Sequence, residues 1–265
     1  MKKTLQEIKL KLSDDNLISE DKKRDLLVLL DELEEEKAVS QPTATVQFIG
    51  GYSMPLGDYK GTFGETRFQF TGNGNPDSST YFMKSGINYG IFVKVPISKR
   101  SPFSIKGGVA FNVFSQSKEY TEGTGSVTVD LKQSLFGITI GTDYDFGGTK
   151  SKIRPFIGAE ISGTFFAGSY TEDYIDSTET LSLNAAFRLG VNAAAGVDIT
   201  LHNNLGVIVG AKYSIANIVG KKYEADTRTR YNLNDASYTI DNTNYPSRSI
   251  TFLQFYGGIS FYFGR

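Results

Sequence analysis

Phe187-Arg188-Leu189-Gly190-Val191-Asn192-Ala193-Ala194-Ala195-Gly196-Val197-Asp198-Ile199 repeats with a period of two. Phe187, Leu189, Val191, Ala193, Ala195, Val197 and Ile199 fall on one face; Arg188, Gly190, Asn192, Ala194, Gly196 and Asp198 fall on the other. That period belongs to a strand, whose successive side chains point to opposite sides. A helix would space its apolar residues three and four apart. The stretch is also longer than the roughly five or six residues usual for a strand in a soluble domain.

The same alternation runs through most of the chain. At the end, Leu253, Phe255, Gly257, Ile259, Phe261 and Phe263 share one face, and Phe252, Gln254, Tyr256, Gly258, Ser260 and Tyr262 the other. The pattern predicts eight strands, near residues 45–56, 83–97, 103–116, 133–146, 153–167, 185–201, 205–217 and 249–263. Short turns join them at Ser98–Pro102, Gly147–Lys152 and His202–Asn204. Long polar loops join the others, near 57–82, 117–132, 168–184 and 218–248. Short and long connections in alternation describe an antiparallel up-and-down meander with both termini at the short-turn end.

Composition alone points elsewhere. The chain has 265 residues, 28 Lys+Arg against 29 Asp+Glu, no Cys, no Trp and one His. No stretch approaches the roughly 18 apolar residues of a membrane helix. Near-neutral charge argues against nucleic acid as a partner, and the lack of Cys removes disulfides, thiolate metal sites and Cys nucleophiles. Its 28 glycines are about 11% of residues, against a usual share of about 7%.

Which face points inward decides the class. Opposite the apolar face lie Lys94, Lys106, Asp143, Asp145, Glu160, Arg188, Asp198 and Lys212, four cations and four anions. Many glycines share that face, among them Gly90, Gly108, Gly158, Gly196, Gly206 and Gly210. Glycine weakens a water-exposed strand, but an eight-stranded barrel is only just wide enough for its side chains and needs small residues beside large ones. Buried charges are costly unless paired, so the balanced set reads as an ion-pair network filling a lumen. The apolar face, with Phe103, Phe111, Tyr144, Phe146, Tyr213, Phe261 and Phe263, then meets lipid through interfacial aromatics. A soluble ligand-binding barrel, with the apolar face turned inward, is the alternative.

Residues 42–265 resemble the small eight-stranded outer-membrane β-barrels that include OmpA-like and OmpX-like proteins. The resemblance rests on Gly51-Tyr52-Ser53-Met54-Pro55-Leu56-Gly57-Asp58-Tyr59, similar to a first strand and its exit into loop 1. It rests also on Tyr256-x-Gly258-x-x-Phe261-x-Phe263, similar to the signal that the barrel-assembly machinery reads on the last strand. The family usually ends on that aromatic, whereas Gly264-Arg265 follow here. The resemblance implies a Gram-negative outer membrane, outer-membrane lipid and the assembly machinery as partners, and periplasmic termini.

Residues 1–41 differ in kind: 1–40 hold no Gly, Pro or aromatic residue and many charges. Leu26, Leu29, Leu30 and Leu33 lie at helical spacing, and Ser19-Glu20-Asp21 suits a helix start. Two helices, about 3–12 and 20–37, are expected as a periplasmic extension that pairs with itself or a second copy. Leu10–Lys23 weakly resembles the oligomerising helical modules called SHOCT, with Asn16 at the usual turn glycine. Met1-Lys2-Lys3 has the charge of a leader's start, but Glu7, Lys9 and Lys11 stand where an apolar run would follow.

Chemistry is sparse, and no cofactor is expected. The single His202 falls in a short turn, away from the long-loop end. Asp143 and Asp145 share a face and read either as a general acid–base pair or as lumen partners for Lys94, Lys106, Arg188 or Lys212. Gly72-Asn73-Gly74-Asn75-Pro76-Asp77 lacks calcium-loop spacing, and Gly123-x-Gly125 opens no helix that would hold a phosphate. Loop 4 carries Lys221, Lys222, Tyr223, Arg228, Arg230 and Tyr231, residue types suited to protein or glycan recognition. The expected role is structural or surface-interacting, such as adhesion or assembly. A narrow channel for small solutes or ions and a subunit of an array paired through the N-terminal helices are the other readings.

Overall fold

The computed structural model describes residues 24–26, 28, 42–61, 81, 83–98, 101–122, 125–146, 151–224, 230–240 and 242–264. Eight long strands form the barrel: β1 Ala44–Leu56, β2 Ser85–Pro96, β3 Phe103–Glu122, β4 Gly125–Asp145, β5 Ile153–Asp173, β6 Ala186–His202, β7 Leu205–Val219 and β8 Thr251–Phe263. Each pairs antiparallel with its neighbours in sequence, and β1 pairs with β8 from Ala44↔Phe263 to Leu56↔Thr251, closing the sheet. Closure leaves no free edge, which is what permits strands to cross lipid. The chain is therefore a closed eight-stranded antiparallel barrel, a sheet able to span a membrane.

Parity along the strands assigns the faces as the sequence predicts. Phe255, Ile259 and Phe263 are exposed on β8, while Gln254, Tyr256, Ser260 and Tyr262 are buried inside. On the outside, Tyr89, Phe111, Phe136, Phe165 and Phe187 stand opposite one another across five consecutive strands. Their ring centroids follow at 5.3, 4.7, 6.2 and 4.8 Å. A second aromatic group, Phe103, Tyr144 and Phe146, lies near the short-turn end, with centroids 5.0 and 4.9 Å apart. From Phe103 to Phe111 the strand rises about 27 Å, or about 20 Å along a barrel axis tilted by ~40°. That spacing matches an apolar band between two interfacial girdles.

β3, β4 and β5 do not stop at the upper girdle. Within residues 117–132, expected as a polar loop, 117–122 pair with 125–130 from Ser117↔Asp130 to Glu122↔Gly125 and extend β3 and β4 upward. Thr178–Leu183, inside the expected third loop, adds a strand against the upper end of β5. The reason is a change of phase. Above the girdle most inward positions turn apolar (Phe114, Tyr120, Val127, Val129, Leu131), with Gln116 and Gln133 buried beside them, and the outward ones turn polar (Ser115, Ser117, Glu119, Asp130, Lys132). Alternation continues, but apolar-in and polar-out, as in a soluble sheet. These residues join Tyr59, Tyr81, Met83, Phe166, Tyr170, Leu183, Tyr231, Leu233, Ile250 and Phe252 in one core that fills the mouth. We call this raised part the collar.

Arg24, Asp25, Leu26 and Val28 are helical and exposed. Leu29, Leu30 and Leu33, and most of the expected helical extension, lie outside the described residues, as do Arg228, Gly123 and the Gly72–Asp77 stretch.

Candidate functional site

The lumen below the collar holds a layer of paired charges. Lys94 on β2 sits 2.7 Å from Asp145 and 3.4 Å from Asp143, both on β4. Lys106 on β3 reaches Asp143 at 3.7 Å and Glu160 on β5 at 3.3 Å. Lys212 on β7 meets the other Glu160 oxygen at 2.7 Å, and Asn192 donates to that same oxygen at 3.2 Å. Nearer the short-turn end, Arg154 lies 2.9 Å from Asp198, which also accepts a bond from the Tyr262 hydroxyl at 2.6 Å. All eight ionic groups are buried. Four cations and four anions leave the layer neutral.

Two aromatic rings thread the charges. Lys212 and Lys106 lie 4.5 and 5.0 Å from the centroid of Phe92, and Lys94 lies 5.3 Å from that of Phe156. Cation–ring contacts of this kind gain strength when desolvated. Glycine makes room for the rings. A Cβ at Gly108 would strike Phe92, one at Gly196 would strike Phe156, and one at Gly210 would strike Tyr256. The glycine surplus is thus a consequence of lumen width.

Arg188, expected among these pairs, lies higher. Its guanidinium forks onto Asp235 of loop 4, Nε to Oδ2 at 2.9 Å and Nη2 to Oδ1 at 2.8 Å. Asn217, at a bulge between β6 and β7, donates to Asp235 at 2.9 Å and accepts from the Ile250 amide at 2.7 Å. The Lys222 amide adds another bond to Asp235 at 2.9 Å. Burial by itself would raise the Asp235 carboxyl, but these hydrogen bonds and the Arg188 charge hold it below the usual carboxylate range. Nearby, Tyr81 donates to the Leu233 carbonyl at 3.0 Å, and Arg248 lies 4.5 Å from the centroid of the Tyr81 ring. Loop 4 is latched across the mouth with Tyr231 and Leu233 in the collar core.

Between layer and collar lies a cavity of about 30 Å³, lined by Asn112, Thr139, Ser162, Asn192, Lys212 and Gln254 among others. That is room for a few waters.

Arg154, Phe156 and Asp235 carry much of this site and were not singled out as lumen groups from sequence. The first two share the parity of Glu160 on β5, a usable signal. Asp235 has none, because its placement depends on the path of the long loop between Val219 and Thr251. Of the other expected loop residues, Lys222 and Tyr223 are exposed, Lys221 is half-buried and donates to the Arg248 carbonyl at 2.7 Å, and Arg230 and Tyr231 form a short strand beside Ser182 and Leu183. Tyr223, Tyr238 and Tyr245 stack at 4.0 and 4.6 Å. In the terminal motif Tyr256 points into the lumen and Phe261 and Phe263 point outward, with Gly258 packed on the Phe48 backbone. His202 is exposed at the end of β6.

Residues 107–250 match the model of a family described as Opacity family porin protein. No curated protein matches the chain in sequence. Among solved structures, Neisserial surface protein A (NspA) is similar, at 14% identity over 83% of this chain and 97% of that one, with a TM-score of 0.41. Ail of Yersinia pestis, solved with the heparin analogue sucrose octasulfate, follows at 11% identity over 83% and 99%, with a TM-score of 0.36.

Proposed function

The chain belongs to the Opacity family of porin proteins, and from that premise we propose that it is a sealed barrel serving interaction at the cell surface, not passage and not catalysis. The carrying observation is the double closure of the lumen: a neutral layer of ion pairs and rings, then an apolar core at the mouth. A conducting pore of this size would need a continuous wet path, and the ion-pair layer and the collar core both stand across it. The collar faces outward from the cell and both termini lie in the periplasm, in keeping with long loops outside and short turns inside. The apolar band meets outer-membrane lipid, and Tyr256, Gly258, Phe261 and Phe263 serve as the signal to the assembly machinery. Against catalysis, His202 stands at the short-turn end, remote from the mouth, and Asp143 and Asp145 are engaged by Lys94.

Planar-bilayer recording of the purified full chain tests this reading. No conductance steps of general-porin size are expected. Steady steps whose ion selectivity changes on Glu160→Lys would overturn it in favour of the narrow channel.

A further inference from the structure

The rim of the collar carries a second cavity, of about 340 Å³, between the start of β6 and loop 4. Its walls are amides: Asn184 donates to the Asn232 side-chain oxygen at 2.7 Å, Asn232 to the Glu224 carbonyl at 3.3 Å, and the Glu224 amide to the Asn234 side chain at 2.9 Å. Phe187 borders the cavity at the upper girdle, its ring turned outward onto Phe165, and Lys222 and Glu224 supply one charge of each sign. The remaining charge, Arg188, is neutralised by Asp235.

Asn234 holds a left-handed backbone at φ 38°, fixed by the Arg248 guanidinium on its carbonyl and by the Asp235 latch next to it. Strained non-glycine backbone of this kind concentrates at binding sites, where the surrounding structure over-determines it.

We propose that this cavity binds a neutral saccharide. Its volume falls in the range of about 300–1,000 Å³ typical of small-ligand sites. Amides and a carboxylate pair with adjacent hydroxyls. A phosphate or sulfate site would want uncompensated Arg or Lys, and among the described lining residues the charges cancel. The walls are already tied to one another, so little conformational freedom is lost on binding. Because Phe187 stands in the girdle, the sugar comes either from a glycan in solution or from the headgroup of a lipid in the same leaflet. This site deepens the surface-interaction reading and rests on it; the sealed lumen is tested separately by conductance, so the two can fail independently.

Saturation-transfer NMR on the full chain in lauryldimethylamine oxide micelles decides it, with maltose, N,N′-diacetylchitobiose, dodecyl maltoside and sucrose octasulfate as probes. Transfer to the sugar protons of at least one neutral probe is expected. Asn232→Ala should weaken it at least tenfold. Ala185→Trp, which fills the cavity and removes no hydrogen bond, should abolish it even if Asn232→Ala disturbs the loop. Tyr238→Phe should leave it unchanged. Saturation of free disaccharide protons identifies a soluble glycan, and saturation of the maltosyl protons of dodecyl maltoside alone identifies a lipid headgroup. No transfer to any neutral sugar, transfer to the dodecyl chain only, displacement by sucrose octasulfate, or full binding by Ala185→Trp would each overturn the proposal.

Discussion

One continuous set of strands passes through two environments, and the two halves solve opposite problems. Below the upper girdle the outside is apolar and the inside polar. Ile138 and Ile140 face out, while Lys106, Asp143 and Glu160 face in. Above it, on the same β3 and β4, Lys132 and Asp130 face out while Val129 and Leu131 face in. The backbone pairing does not change across the boundary, from Phe103↔Tyr144 to Glu122↔Gly125. The solvent outside therefore sets the pattern: lipid pulls apolar groups outward and leaves polar groups to fill the inside, whereas water pulls apolar groups inward.

The sharpest way to break this contrast is in the lower half. Glu160→Gln leaves Lys106 and Lys212 without their shared anion, and breaking a buried pair from one side costs about 3–5 kcal/mol. Urea unfolding in lipid vesicles should show a loss of that size; a loss under about 1 kcal/mol would mean that water already solvates the layer. In the collar the comparable cut is Leu131→Ala, expected to cost about 3 kcal/mol through lost burial and the cavity left behind. It should open the β3–β4 tip to protease, whereas Glu160→Gln should leave that tip resistant.

The boundary itself is tested by placing one charge at two outward positions of β4. Ile140→Lys, midway between the girdles, should cost about 2–4 kcal/mol, as at the midplane of other barrels, and Thr128→Lys should fall within about 0.5 kcal/mol. Equal costs would mean that the girdle at Phe136 does not mark the edge of the lipid. A further effect, read in pH, belongs to the latch. Asp235 is held below its ordinary range, so its contribution is fully present above about pH 4 and is lost as pH falls through the lowered value. Protease resistance of loop 4 should hold from neutral pH to about 4 and decline below. Asp235→Asn should remove that pH step and lower stability by about 1–3 kcal/mol, the scale of a lost charge-assisted bond.

The membrane half was legible from sequence because period two, read with the glycines, names both faces. All of Lys94, Lys106, Asp143, Asp145, Glu160, Asp198 and Lys212 lie inside on that parity alone. The collar was read as loop for a physical reason. At Ser115–Ser117 and Asp130–Lys132 the outward residues become polar, and a reading that expects apolar residues outside takes this as the strand's end. Tyr120, Val127 and Val129 kept the period on the other face. Loop 4 was legible only in composition. Its latch joins Arg188, Asn217 and Asp235, residues up to 47 apart in sequence, and no local pattern encodes such a meeting.

The lumen pairs also imply an order of assembly. Lys94 and Lys106 on β2 and β3 find Asp143 and Asp145 on the next strand, β4, and Glu160 on β5 finds Lys212 on β7. A chain entering the bilayer hairpin by hairpin therefore neutralises most of its charge before the first and last strands meet. The collar core, by contrast, draws Tyr59 from just after β1 and Phe252 from β8, rings 6.3 Å apart, and is complete only once the cylinder has closed. Charge is quenched early and on the way in; the apolar seal is set last.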